Sequence, residues 1–194
     1  MLMLASSSPR RKEILSFFSI PFKVVSPKFD ERTVELLTTA QNYALEIATN
    51  KAKSIENDYP NDIILSFDTI VYANNKIYTK PENETHALEM LKELSNIWHS
   101  VFTSVCVVKD KKIYSSVEET KILFHSLDED KIKKYHKSFY FSDKAAGYAI
   151  QKSGSIIIKQ MIGCYYNVMG LPINTLNELL LKVGIDLWDY LNQS

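Results

Sequence analysis

The sequence predicts an α/β fold with a mixed twisted sheet and flanking helices. Three observations lead there. Strand-like and helix-like segments alternate over the first half of the chain, the pattern of strands packed under helices. The apolar run over 63–72 ends in Asn74-Asn75, a pair suited to a tight hairpin, so at least one antiparallel strand joins the sheet. Two more long strands are expected on either side of the charged turn 109–112. A length of 194 residues suits one domain, 1–194, with room for two lobes that share a core.

The elements follow in order. Residues 1–5 read as a short strand. Ser8-Pro9 then opens a helix, with serine as the cap and proline at the first helical position. Residues 22–25 form a second strand, and Asp30-Glu31 sits in a polar loop. The stretch 41–55 is amphipathic, with Ala44, Ile47, Ala48 and Ala52 at helical spacing. After the 63–72 strand and its hairpin into 76–78, Lys80-Pro81 stops the chain. Residues 83–94 form a helix that buries Ala87, Met90, Leu91 and Leu94. Strands are expected at 99–108 and 113–124, a short polar helix at 128–137, and a polar junction at 142–151. Short extended pieces follow at 156–158 and 167–170. Pro172 starts a last helix, Gly184 is its stop, and 185–191 is a closing amphipathic stretch.

Composition narrows the function. Lys+Arg and Asp+Glu both number 23, a net charge of zero, which argues against a nucleic-acid binder or an acidic-membrane binder. Cys106 and Cys164 form no CxxC pair and read as free thiols. No run of about 18 apolar residues exists to span a membrane, and the N-terminus lacks the charge order of a signal peptide. A soluble cytoplasmic protein is expected. All 5 glycines lie late, from Gly147 onward, so neither GxxxxGK[ST] nor GxGxxG is present. Phosphate, if bound near the N-terminus, must be held by side chains and a helix start.

Two anomalies carry the chemistry. In Ser6-Ser7-Ser8-Pro9-Arg10-Arg11, both arginines fall in the first helical turn, where cations oppose the helix dipole. A bound anion there would meet serine hydroxyls, backbone N–H groups and two guanidinium forks. Arg11 is therefore expected to be a phosphate ligand whose removal costs little thermal stability. The second anomaly is Asp68, which breaks an apolar strand run. A carboxylate aimed at a metal or a water explains that break. Lys51, Lys80 and Lys144 each lie at an element end or beside a breaker; each alone reads as a solvated lysine. Glu31 is a candidate second metal-ligating carboxylate, since Mg²⁺ takes one or two carboxylates plus substrate phosphate. The four histidines show no ligand spacing, and no GxSxG elbow supports a serine hydrolase. Trp188 and Tyr165-Tyr166 read as core or dimer contacts, with a homodimer as one option for assembly.

Leu4-Ala5-Ser6-Ser7-Ser8-Pro9-Arg10-Arg11, Asp68-Thr69, Lys80-Pro81, Asp143-Lys144-Ala145, Ile150-Gln151 and Val168-Met169-Gly170-Leu171-Pro172 occur in that order. The set resembles the Maf family of nucleotide pyrophosphatases from about residue 4 to about residue 182. The resemblance implies an inosine-triphosphatase-like fold, two lobes around a cleft, and hydrolysis of nucleoside triphosphates to the monophosphate and pyrophosphate with a divalent metal, Mg or Mn. It implies a catalytic role for Asp68, phosphate binding by Ser8, Arg10, Arg11, Lys51 and Lys80, and a metal-side carboxylate at Glu31. Arg10, Thr69 and Gln151 match the branch that acts on dTTP and UTP.

The chain departs from the family pattern at several places. Ser66-Phe67 stands where glycine-alanine precedes the catalytic aspartate, and Asn96 and Ser104 replace glycines. Near Lys144 the order becomes Ala145-Ala146-Gly147-Tyr148-Ala149. The expected chemistry is metal-assisted attack of water at the α-phosphorus, with Gln151 presenting donor and acceptor to a uracil or thymine edge. The rival is a non-catalytic nucleotide-binding regulator of cell division, which would bind the same ligands without turnover.

Overall fold

The computed structural model describes residues 1–35, 38–139 and 141–192. It is a mixed α/β structure. The first half runs β1 (Leu2–Ala5), α1 (Pro9–Leu15), β2 (Phe22–Val25), α2 (Ala40–Glu56), β3 (Ile63–Ala73), β4 (Lys76–Tyr78) and α3 (Glu84–Leu94). The second half runs β5 (Trp98–Lys109), β6 (Lys112–Phe124), α4 (Glu129–Ser138), β7 (Ile158–Ile162), α5 (Tyr165–Val168) and α6 (Ile173–Leu181). The strand order is β2-β1-β3-β5-β6-β7, with β4 on β3. β1 pairs in parallel with β2 and β3, whereas β4 and β7 are antiparallel to their neighbours. The expected mixed sheet is therefore present. Both hairpin turns use two residues at positive φ, Asn74-Asn75 and Asp110-Lys111, the geometry that matches strand twist.

The chain divides into two compact units. The first comprises Met1–Asp68, Thr103–Glu118 and Gly170–Ser194. Its core packs the α2 stripe of Ala48, Ala52 and Ile55 against Met3, Ile64, Cys106 and Val108. Two strand serines tie α2 down. Ser66 Oγ donates to Ala48 O at 2.5 Å and Ser104 Oγ to Ala44 O at 2.6 Å, one helical turn apart. Both stand where the family pattern has glycine; here the hydroxyl fills the space and supplies a bond.

The second unit comprises Thr69–Phe102 and Glu119–Met169. Its core gathers Tyr78, Met90, Leu91, Leu94, Phe124 and Tyr148. Two sequence expectations are corrected here. The piece 156–158 is a 3-10 turn over Lys152–Ile157 that feeds a strand only from Ile158 onward. The piece 167–170 is not extended: Tyr165–Val168 is a helical turn with Asn167 buried in it. Its cause is a side-chain network. Asn167 Nδ2 donates to Val101 O at 3.0 Å and to Thr120 Oγ1 at 2.9 Å, while Thr120 Oγ1 also exchanges bonds with the Cys164 N–H and C=O. Such pinning of the backbone by a buried amide leaves no trace in apolar periodicity. In the first unit, the closing stretch 185–191 holds a 3-10 turn, Leu187–Tyr190, started by Asp186 accepting from Trp188 N–H.

Asn167→Leu should cost stability out of proportion to its size. It leaves the Val101 carbonyl without this donor, about 1–3 kcal/mol. Urea unfolding of the two proteins measures it; equal midpoints would show that the network is dispensable.

Candidate active site

The site begins where β1 ends. Ala5 closes the buried strand, and the chain turns through Ser6-Ser7-Ser8 into Pro9, whose fixed φ starts α1. Ser8 occupies the cap position in extended conformation, but its hydroxyl makes no capping bond, contrary to expectation. Ser6, 4% exposed, takes over the turn: its Oγ accepts the Ser8 N–H at 3.2 Å, a serine closing the backbone two residues on. The same oxygen accepts from Arg11 Nη1 at 3.2 Å. Ser6 was missed by sequence reasoning because attention fell on the serine beside proline.

Arg11 is not a loosely solvated cation. Its Nε donates to Gly170 O at 2.8 Å, and its guanidinium carbon lies 5.6 Å from the centre of the Phe67 ring. Burial lowers its pKa to about 10, against the pull of the Asp68 and Glu31 charges, so it remains charged at neutral pH. The expectation that Arg11 can be removed without loss of stability is therefore corrected: three contacts anchor it. Arg10 and Ser8 are half-buried beside it.

β3 supplies the acid. Side chains alternate along a strand, so Phe67 and Asp68 point to opposite faces. Phe67 faces Arg11, and Asp68 faces α2, where Lys51 Nζ meets its Oδ1 at 2.7 Å. Lys51 is 5% exposed, not solvated as its isolated type suggests. The missed signal is its place on the buried α2 stripe, Ala44, Ile47, Ala48, Lys51, Ala52 and Ile55. Its ammonium also contacts Glu31 Oε1 at 2.8 Å and the Phe67 carbonyl at 3.4 Å. These three acceptors match the three N–H donors of an ammonium.

Glu31 lies in a 3-10 turn, Glu31–Thr33, where sequence predicts only a loop. The Asp30 side chain caps that turn through Arg32 N–H, and its two oxygens bind the Arg32 side chain at 2.9 and 2.8 Å. Asp30 is thus committed to Arg32, which leaves Glu31 to reach Lys51. Asp68 is 6% exposed, and burial raises its pKa above the ordinary carboxylate value. The charge and hydrogen bond of Lys51 oppose that shift, Glu31 adds to it, and Arg11 opposes it again. Tyr43, two helical turns before Lys51 on α2, feels the same acids: burial first, then Asp68 and Glu31, raise its phenol.

The structure thus brings Ser6, Arg11, Glu31, Lys51, Phe67 and Asp68 together in the first unit. Thr69 follows Asp68 directly and opens the second unit. In that unit Lys80 is exposed between β4 and α3, and Gln151 is half-buried at the start of the Lys152–Ile157 turn. Lys144 Nζ pairs with Asp143 Oδ1 at 2.5 Å.

Asp68 and Glu31 also answer the question of a metal. Their carboxylates converge on one cationic position, taken by Lys51 Nζ. Two such oxygens fit Mg²⁺ or Mn²⁺, which complete their shells with water and phosphate oxygen. Among the described residues no group of three or more His, Cys, Asp or Glu forms a self-sufficient metal site. Nor is any helix among them long and apolar enough to cross a membrane.

The fold is shared with a solved structure, that of the Staphylococcus aureus Ham1 protein, at a TM-score of 0.53 and 14% identity, over 94% of this chain and 98% of that one. The chain is thus a mixed α/β protein of the Ham1 fold, with a buried acid in the middle of β3. Residues 1–183 match the family model described as Maf-like protein, and the chain belongs to that family. It is 46% identical to the dTTP/UTP pyrophosphatase of Chlamydia felis over 98% of this chain and 97% of that protein. It is 43% identical to the dTTP/UTP pyrophosphatase of Pyrococcus abyssi over 95% of this chain and 96% of that protein.

Two outcomes follow from this geometry. Lys51→Met removes one partner of a buried pair and should destabilise the protein by about 3–5 kcal/mol near neutral pH. Asp68 then keeps the burial and the Glu31 charge that raise its pKa. A raised pKa means that the folded state holds the proton more tightly, so this contribution to stability fades as pH rises through that value. The deficit should be larger at about pH 8 than at about pH 5 in metal-free urea titrations; equal deficits would remove Asp68 as its cause. Arg11→Ala should lower activity and also cost about 1–3 kcal/mol of stability, read as a fall in Tm, for the Gly170 carbonyl left without its donor. An unchanged Tm would show that the Gly170 bond contributes nothing.

Proposed function

We propose that the chain hydrolyses dTTP and UTP to the monophosphate and pyrophosphate. The observation that carries this is the buried Asp68 carboxylate, held by Lys51 with Glu31, in the same unit as the Ser6–Arg11 helix start. The names of the relatives give the reaction and the pyrimidine substrates; the geometry supplies groups suited to it.

Asp68 orients the attacking water and takes its proton. An ordinary aspartate, with pKa near about 3.9, is a weak base, and burial moves Asp68 toward the working range. Lys51 limits that rise and fixes the carboxylate. Lys51, which meets both carboxylates, also brings positive charge to the site for the phosphates. Glu31 and Asp68 would hold a divalent cation, which when bound lowers the pKa of water and neutralises phosphate charge. Arg11 and Arg10, at the start of α1, neutralise the outer phosphates and the leaving pyrophosphate. Ser8 offers a hydroxyl and backbone at the same turn, and Lys80 adds a flexible positive charge. The match of Arg10, Thr69 and Gln151 to the dTTP and UTP branch supports the pyrimidine preference; the Gln151 amide can offer a donor and an acceptor to a base edge.

A panel of nucleoside triphosphates with Mg²⁺ or Mn²⁺, scored for pyrophosphate and for inorganic phosphate separately, tests this. dTTP and UTP should give pyrophosphate and the monophosphate. Inorganic phosphate with a diphosphate would overturn the bond assignment, and a better purine substrate would overturn the selectivity. Asp68→Asn should lose turnover by about a hundredfold or more while still binding nucleotide. Near-normal kcat in that variant would make Asp68 structural.

A further inference from the structure

We propose that Ser6 is a phosphate-binding residue of this site: its hydroxyl proton is a preset donor for an outer phosphate oxygen of the nucleotide. The inference rests on the phosphate-binding role proposed above for Arg11.

A serine hydroxyl can accept two hydrogen bonds and donate one. Both bonds at Ser6 Oγ come from groups that can only donate, the Ser8 backbone N–H at 3.2 Å and Arg11 Nη1 at 3.2 Å. The oxygen therefore accepts in both, and both of its lone pairs are used. Its own proton is left over and takes the remaining tetrahedral direction. Among the described residues no group accepts that proton, because the Ser6 side chain makes these two hydrogen bonds and no other. Ser6 is only 4% exposed, so the donor is not simply handed to bulk solvent as that of a surface serine is. A buried donor with no acceptor is costly, which gives a ligand atom at this point a reason to bind.

The neighbouring group decides the chemistry of that ligand. Ser6 Oγ lies at 3.2 Å from Arg11 Nη1, so an acceptor that meets the serine proton also comes close to a guanidinium. A fixed positive charge favours an anionic acceptor, and a phosphate has enough oxygens to serve the serine and the arginine together. Ser8 differs in kind. Its hydroxyl is half-buried and makes no capping bond, so it turns to suit whatever lies near. The Ser6 donor is oriented before the ligand arrives. Such a donor needs no reorganisation as charge moves onto the leaving pyrophosphate, so it acts on binding and on turnover alike.

Ser6→Ala should lower kcat/KM for dTTP and weaken the binding of pyrophosphate alone, measured by titration calorimetry. Each loss should be about tenfold to a hundredfold, the worth of one hydrogen bond to a charged group. The same oxygen also holds Arg11, and the Arg11→Ala background separates the two roles. There Ser6→Ala should still weaken pyrophosphate binding by about threefold or more. No further loss in that background would show that Ser6 acts only by placing the arginine, and would overturn the inference. The direct measurement leaves Ser6 unaltered: a crystal structure of the Asp68→Asn protein with dTTP bound should put a phosphate oxygen within about 3 Å of Ser6 Oγ. A water at that distance, or phosphates bound elsewhere, would overturn the inference whatever the kinetics show. Calorimetric unfolding identifies any serine variant that loses the fold, and the crystal structure then decides alone. Failure of the parent protein to release pyrophosphate from any triphosphate would sink the proposed function instead; the Ser6 contact is read from pyrophosphate binding and is judged separately.

Discussion

One ammonium organises the site. Lys51 Nζ is the point at which a strand acid, a turn acid and a strand carbonyl meet. Without it, the buried Asp68 carboxylate would face the half-exposed Glu31 carboxylate, a costly arrangement unless a cation separates them. The rest of the first unit serves that contact. The apolar α2 stripe places the lysine against β3, and Ser66 and Ser104 fix the helix about one and two turns earlier, at Ala48 and Ala44. Asp30 binds Arg32 and so leaves Glu31 free to turn inward.

The charge pattern around β3 is also a division of labour. Arg11 lies on the Phe67 face and Lys51 on the Asp68 face. A single cation could not hold the acids and also present a planar fork to phosphate. Lysine, a compact point charge with three donors, suits the first task, and arginine, with its rigid fork, suits the second. The alternation of the strand separates them at adjacent positions.

Much of this was legible in the sequence, and the reasons for success and failure are physical. Asp68 was legible because a carboxylate is so ill suited to an apolar strand that its presence demands a cause. The α1 arginines were legible because they oppose a helix dipole. The two Asn and Asp-Lys hairpins were marked by charge and turn chemistry. Lys51 was obscured because alanines make a weak stripe, and a lysine within one looks like surface. Ser6 and Ser8 are chemically alike, and only the path of the turn decides which hydroxyl is used. Asn167 forms its helical turn through partners at Val101 and Thr120, far away in the chain. Phe67 looks like any strand aromatic until the arginine is seen lying on it.

The first unit is assembled from three separated stretches of chain, whereas the second lies wholly within residues 69–169. That has a consequence for synthesis on the ribosome. The stretch that completes the second unit emerges first. The first unit waits for Gly170–Ser194, the stretch that carries α6, the bridge from Leu191 to Phe18 and the carbonyl that anchors Arg11. The nascent chain therefore carries Arg11 without its anchor until Gly170 has been made. Long-range closure of this kind is slow relative to local folding. A truncated chain that ends before Gly170 would therefore carry every acid and base of the site and still lack its arginine geometry.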